Sequence, residues 1–367
     1  MSPLRIALAI LIALHGLIHL LGTAKAFRWS VVGQLRAAIS PGAGLLWLVA
    51  AVLLIIAALG LVTRAPWWWY PALPGVLLSQ VLIVAVWGDA KFGTLANVII
   101  AIPVLVAALD VRASSFSSRF AHDRDMLLVQ ATSHVPLVAE ADLAALPPLM
   151  QRYLRQVGAV GHPRVRNLRV TFNAQMRSSA TSAWMDATAT QYEFFDFPAR
   201  LFHMNASRAG IPLDIFHRYV DGAATFQVRI VGLLSMVDKH GAGLTNDETV
   251  TLMNDMLVMA PAAVLDLPFT FETTGERTLR ATFRNAAYTV SAGLTFDAAG
   301  DLVGFESADR AHDRDGGPAI WSTPISGYRQ IDGIRVGAHG DANWIEPSGE
   351  WTYGRFDIAS IAYNVTR

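Results

Sequence analysis

The sequence predicts an α-helical transmembrane bundle of four spans followed by an α+β domain, mainly an antiparallel curved sheet or half-barrel with two amphipathic helices. Three observations predict this. Before residue 110 the chain contains four apolar runs, each about as long as a helix needs to cross a bilayer. Beyond residue 142 the hydrophobic period changes from 3.6 to 2, the mark of half-buried strands. Asp-Gly pairs punctuate those strands where tight hairpins need them. The expected organisation is a transmembrane domain over 1–110, a juxtamembrane linker over 111–141 and a soluble β-rich domain over 142–367.

Composition agrees with that division. Hydrophobic residues make up 53% of the 367 and charged residues 16%, and the apolar excess sits almost wholly before residue 110. Twenty-nine basic residues match twenty-nine acidic ones, so no net basic field exists to attract nucleic acid. Cysteine is absent, which excludes disulfides, thiolate nucleophiles, iron–sulfur clusters and cysteine-based zinc sites.

The first span is Leu4 to Gly22. A cleaved signal peptide is the alternative there, because a charged start and Ala24-Lys-Ala26 imitate one. Three further spans and the length of the run favour a span. Gly44 to Val62 is the second, followed by the aromatic belt Trp67-Trp-Trp-Tyr70. Pro71 to Trp87 and Phe92 to Leu109 are the third and fourth, separated by the polar break Trp87-Gly-Asp-Ala-Lys91. Four spans place both termini on one side of the membrane. Five basic residues (Arg5, Arg64, Arg112, Arg119, Arg124) against four (Lys25, Arg28, Arg36, Lys91) leave the choice of side open.

Polar residues within the spans are candidates for intramembrane chemistry. His15 and His19 are four apart and share a helix face. Gln80, Asp89 and Asn97 are their candidate partners, while Asp89 and Lys91 fit an interfacial turn in which Lys91 snorkels. Paired imidazoles can ligate haem or a metal or relay protons. Side chains at bilayer depth also serve as hydrogen-bonding glue between helices. No second histidine-bearing span completes a ligand set, which favours glue.

Arg112 to Arg124 is rich in Ser and Arg, lacks either period, and reads as linker. The pentamer Ala-His-Asp-Arg-Asp at 121–125 recurs at 311–315, as two solvated charged loops. Pro147-Pro148 opens a helix whose apolar face is Leu149, Met150, Tyr153, Leu154 and Val157, with Gly158 as its stop. Strands follow, with alternation at Leu168 to Met176, at Tyr288 to Phe296, and more briefly at Phe226 to Ile230 and Trp351 to Tyr363. Asp221-Gly222 and Asp332-Gly333 mark hairpins, and Ala298-Ala-Gly-Asp301 marks a third. Between strands, Thr245-Asn-Asp-Glu248 has the form of a capping box, with Val250, Met253, Met256, Leu257 and Ala260 at helical spacing before Pro261.

Nucleophile elbows, zinc-binding His-Glu-x-x-His, phosphate loops and dinucleotide fingerprints do not occur, so an enzyme is the lesser expectation. Histidines 203, 217, 240, 312 and 339 have no metal-ligand spacing, and His203 falls on a strand's polar face. Glu193, Asp196 and Asp214 are acids whose separation a sequence does not give.

Several phrases carry a family resemblance: His15-Gly-Leu-Ile-His19-Leu, Ser79-Gln80, Trp87-Gly-Asp89-Ala-Lys91-Phe-Gly-Thr94 with Asn97, Leu146-Pro-Pro-Leu-Met-Gln-Arg152-Tyr-Leu, and His217-Arg-Tyr-Val-Asp221-Gly222. Together they resemble an uncharacterised bacterial family of four-helix membrane proteins with a β-rich domain of unknown function. The β-rich half is also loosely similar to the half-barrels of periplasmic lipoprotein carriers, whose curved sheets hold acyl chains. That resemblance implies an extracytoplasmic C-terminal domain.

A one-sided sheet this long has more apolar face than two helices cover. The leading expectation is therefore a membrane-anchored binding protein for a lipid or other apolar ligand, with no cofactor. Met253, Met256 and Leu257 would form the lid, since Met-rich faces repack around variable partners. The alternatives are an intramembrane redox or proton-coupled protein using His15 and His19, and a structural or assembly membrane protein without a small ligand.

Overall fold

A computed structural model describes residues 3–29, 32, 35–131, 135–311 and 319–366. They form two compact units, Met1–Ser115 and Phe116–Arg367.

The first unit holds α1 (Pro3–Ala26), α2 (Pro41–Val62), α3 (Trp69–Ala85), α4 (Trp87–Ala90) and α5 (Gly93–Asp110). Three of these, α1, α2 and α5, are long and apolar enough to cross a membrane. At 17 residues α3 is shorter, about 25 Å at the helical rise against a hydrocarbon core of about 30 Å. The surface is apolar, and a few polar side chains are buried within an otherwise apolar interior. Leu17, Leu45, Val81, Leu95 and Ile102 are exposed, whereas His15, His19, Thr23, Ser79 and Asn97 are buried. A soluble protein would reverse that distribution. Small residues bring the helices together: Gly22 lies so close to Trp47 that an added Cβ would come within 2.2 Å of its indole.

The second unit begins with α6 (Phe116–Gln130) and α7 (Pro148–Gln156). Six strands follow, β1 (Asn167–Met176), β2 (Met185–Phe194), β3 (Ala199–Arg208), β4 (Ile211–Val220), β5 (Ala223–Ile230) and β6 (Leu234–His240). Next come α8 (Ala242–Met259) and a 3-10 turn over Pro261–Leu265. The chain closes with β7 (Phe269–Gly275), β8 (Thr278–Asn285), β9 (Tyr288–Phe296), β10 (Leu302–Ser307), β11 (Ile320–Ile331), β12 (Ile334–Glu346) and β13 (Gly349–Tyr363). All thirteen strands join one antiparallel sheet, ordered β6-β5-β4-β3-β2-β1-β13-β12-β11-β10-β9-β8-β7. Because β6 and β7 are the two edges, α8 runs from one edge of the sheet to the other. It packs on β5 and β6 at one side and on β9, β10 and β12 at the other, so the sheet curves around it.

The local chemistry explains the pairing. Asp221-Gly222 and Asp332-Gly333 have positive φ at both positions and turn β4 into β5 and β11 into β12. At the β9–β10 turn the Asp297 carboxylate accepts from the amides of Gly300 and Asp301. In β1, Leu168, Val170, Phe172 and Ala174 are buried, as their alternation requires.

Two readings change. The segment expected to be linker contains α6, whose Phe116, Phe120, Leu127 and Leu128 pack on Tyr192, Phe194, Leu201, Phe216 and Val220 of the sheet's outer face. Serines and arginines at intervening positions hide that face from a periodicity search. The outer face of β2–β4 is thus covered too, and His203, expected on a wet face, is buried beneath Phe120 with its Nε2 2.6 Å from Asp214. Of the repeated pentamer, the copy at 121–125 lies in α6, and the other, with His312, falls outside the described residues save Ala311.

Candidate functional site: a cavity between the curved sheet and its helix

Between the inner face of the sheet and α8 lies a cavity of about 210 Å³. Strand register builds its wall: Gln191, Phe202, His217 and Phe226 stand in one row across β2, β3, β4 and β5. Met204 and Ile215 form the next row, beside Phe172. From the other arm come Trp321, Ile325, Tyr353, Phe356 and Ile358.

The cavity has a charged end. Glu248, Thr251 and Asp255 recur at helical spacing on α8 and turn one face of it into the cavity, with Asn254 beside them. Arg200 is the hub: its Nε lies 2.8 Å from Asp255, its Nη1 3.1 Å from Glu248, and its Nη2 donates to Gln191 at 3.1 Å. Gln191 in turn donates to Asp255 and to Glu193. His217 Nδ1 donates to Glu248 at 3.2 Å, and Arg310 approaches the same carboxylate at 4.0 Å. The guanidinium groups also lie over aromatic faces, Arg200 on Phe202 at 5.0 Å and Arg310 on Trp321 at 4.6 Å.

Burial sets the protonation of these groups. It pushes the Glu193 carboxyl well above its usual range, and the neighbouring Asp255 adds to this. Burial also opposes ionisation of Glu248, but His217, Arg200 and Arg310 more than offset it and hold Glu248 below the carboxylate range. His217 is lowered by desolvation, only partly countered by Glu248, and is neutral at pH 7. The guanidinium groups of Arg200 and Arg310 thus face the carboxylates of Glu248 and Asp255, and Asp341 also lines the cavity. Within the lining, the buried Asn254 Nδ2 and Thr323 Oγ1 find no hydrogen-bond partner among the described residues. A buried polar atom left unpaired implies a partner that the protein does not supply.

The residues expected to form the site are placed as follows. Met253, Met256 and Leu257 are fully buried in the main hydrophobic core and do not line the cavity, which meets the opposite, polar face of α8. Neither is Thr245 an N-cap, since the helix begins one turn earlier after Gly241. Its Oγ1 donates to Gly241 O and accepts from Ala224 N, and Glu248 is thereby free for the charged cluster. Among the sequence-stated acids, Glu193 joins this cluster, while Asp196 pairs with Arg166 and Asp214 with His203. Arg200, Glu248, Asp255 and Arg310 were not singled out from sequence. The polar stripe at 248, 251 and 255 was legible, but such a stripe ordinarily faces water.

In the first unit His15, Gln80 and Asn97 do come together. His15 Nε2 donates to Asn97 Oδ1 at 2.9 Å, Ser79 donates to the same oxygen, and Asn97 Nδ2 donates to Gln80, which donates to Thr94. His19 donates Nδ1–H to the carbonyl of His15, leaving Nε2 as a buried lone pair with no partner among the described residues. Asp89 and Lys91 stand apart: Asp89 accepts from the amides of Arg36 and Ala37, and Lys91 lies over the Phe92 ring. Among the described residues, no group of three His, Asp or Glu could hold a metal ion.

A raised carboxyl gives a definite pH signature. Below the unfolded value of 4.5 both states hold the Glu193 proton and the native state is at no disadvantage. As pH rises the unfolded chain ionises first, so stability falls until the raised native value is reached. Glu193→Gln is expected to stabilise the protein at neutral pH and to leave it unchanged near pH 4, in denaturant titrations followed by tryptophan fluorescence. A gain of the same size at both pH values would mean that the native carboxyl titrates as it does in the unfolded chain, and that it is not raised. Arg200→Met, which strands two buried carboxylates, is expected to cost about 3–5 kcal/mol in the same measurement.

Residues 136–356 match the model of a family of unknown function, DUF6544. The matched stretch includes every cavity-lining residue except Ile358. No curated protein matches the chain. Among solved structures, a putative outer membrane lipoprotein-sorting protein domain from Vibrio parahaemolyticus is similar at 9% identity and a TM-score of 0.33, over 55% of this chain and 86% of that one. A DUF1329 family protein from Desulfovibrio piger is similar at 10% identity and a TM-score of 0.35, over 60% and 93%. With more than half its length matched by the family model, the chain belongs to this DUF6544 family of unknown function.

Proposed function

We propose that this is a membrane-anchored binding protein that holds a lipid or other amphiphile in the cavity of its β-rich unit. The observation that carries the reading is the cavity's two-ended lining. Phe172, Phe202, Met204, Ile215, Phe356 and Ile358 offer an apolar wall, the Arg200 cluster offers a charged end, and Asn254 and Thr323 add buried polar atoms to the lining. Its volume of about 210 Å³ exceeds the roughly 150 Å³ of an apolar cavity that takes up benzene. An acyl chain would lie against the aromatic wall. A polar head would accept from Asn254 Nδ2, which has no partner among the described residues.

In this reading residues 1–110 are the anchor, with α3 as a fourth span and both termini on one side. The β-rich unit then works on the extracytoplasmic face of an inner membrane. A C-terminal alkaline phosphatase fusion is expected to be active and a C-terminal green fluorescent protein fusion dark. The opposite pattern would place the binding unit in the cytoplasm.

The ligand itself is testable by native mass spectrometry of the detergent-purified chain. The expected result is a co-purifying lipid-sized adduct that is lost in Ile215→Trp, which fills the apolar end, while the variant's unfolding midpoint stays near that of the parent. An adduct retained by Ile215→Trp, or a parent chain empty in every preparation, would sink the reading.

A second reading, a redox or proton-coupled role for His15 and His19, is supported by the lone pair of His19 Nε2 in the interior of the first unit. It expects an absorbance band or bound metal that disappears in His19→Ala. A colourless, metal-free preparation from cells supplied with haem and transition metals would remove it.

A further inference from the structure

Two neighbouring turns at one end of the sheet are unlike its other surfaces. The β3–β4 turn is Ala209-Gly210 and the β5–β6 turn is Val231-Gly232-Leu233; Val231 N donates to Pro212 O at 2.9 Å, which holds the two turns side by side. Around them Ile211 is 51% exposed, Leu233 49%, Leu234 67% and Met236 58%. Over 207–213 and 231–237 there is no acidic residue and a single basic one, the exposed Arg208. Large apolar side chains clustered at a hairpin end, with no acid among them, mark a surface that is covered in use.

The path of the chain says by what. Phe116, the first residue of α6, lies under the Arg229 guanidinium at 4.2 Å, and Arg119 donates to Gln227. The second unit therefore begins beside the last residues of β5, immediately before the turn at 231–233. Only residues 111–115 separate α6 from the end of α5, a helix long and apolar enough to cross a membrane. Fully extended, that connection spans at most about 20 Å. The chain thus enters the β-rich unit next to the apolar turns, five residues after a helix long and apolar enough to cross a membrane. Four protruding side chains are too few for a stable protein interface, which takes about 800 Å² per partner. They suit shallow insertion among lipid headgroups, with Arg208 toward anionic phosphates.

We infer that the paired β3–β4 and β5–β6 turns are a lipid-docking tip that seats the β-rich unit on the bilayer surface. This rests on reading the apolar helices as a membrane anchor and is independent of what the cavity holds. The absence of cysteine makes the test direct. Leu234→Cys in the full chain carries an environment-sensitive fluorophore, and Ala223→Cys, at the opposite end of β5, serves as the reference. Both are reconstituted into vesicles of phosphatidylcholine and phosphatidylglycerol with and without nitroxide-labelled lipid.

The expected result is a blue-shifted label at position 234 that loses intensity to the nitroxide lipids, beside an unshifted, unquenched label at 223. A label at 234 that behaves like the reference overturns the proposal. So does a blue shift insensitive to nitroxide lipid, because the cover would then be protein. Flotation of the chain with the vesicles is read separately. A chain that fails to float removes the anchor and this inference together, whereas flotation with an unquenched label at 234 removes the inference alone.

Discussion

A thirteen-stranded sheet whose edges do not meet must hide its inner face, and α8 is the element that does so. The chain leaves the sheet at one edge, crosses the concavity as α8, and rejoins at the other edge. Both arms are therefore tied to one rod, and their separation is set by what packs on it. Met253, Met256 and Leu257 seal one side of the helix into the core. Its other side meets the sheet only partway, and the remaining space is the cavity.

Charges in such a place are costly unless they neutralise one another. Around Arg200 they do, through Asp255 and Glu248, with Arg310 as the second cation, while burial raises the Glu193 carboxyl. A cluster of this kind contributes little net stability compared with apolar side chains of equal volume, yet removing one member strands the rest. It lies against the aromatic and aliphatic side chains that make up most of the rest of the lining.

The membrane unit applies the same rule in a different solvent. Its outer surface is apolar because lipid is, and its polar side chains satisfy one another inside. The chain from His15 through Asn97 to Gln80 and Thr94 ties three helices by hydrogen bonds that have no water to compete with them. His15 bonds through Nε2 to Asn97 and His19 through Nδ1 to the His15 carbonyl, which leaves His19 Nε2 without a partner among the described residues.

Much of this architecture could be read from residues alone, because it follows from local periodicity. Apolar runs gave the membrane helices, period-2 stretches gave β1 and β9, and Asp-Gly pairs gave two turns. Where the reading failed, tertiary burial had overridden the local signal. Thr245 and Glu248 have the spacing of a cap, but the helix starts earlier because Gly241 supplies the break and Thr245 is needed at Ala224. The face of α6 that covers His203 is interleaved with serine and arginine, so no stripe was visible. The site was hidden most completely. Arg200, Glu248 and Asp255 are separated by up to 55 residues, and only the register of β2–β5 against one face of α8 makes them neighbours. Sequence determined which segments are oily and which turn; the three-dimensional fold alone decided which charges share a cavity, because that depends on how far an open sheet curves around the helix that crosses it.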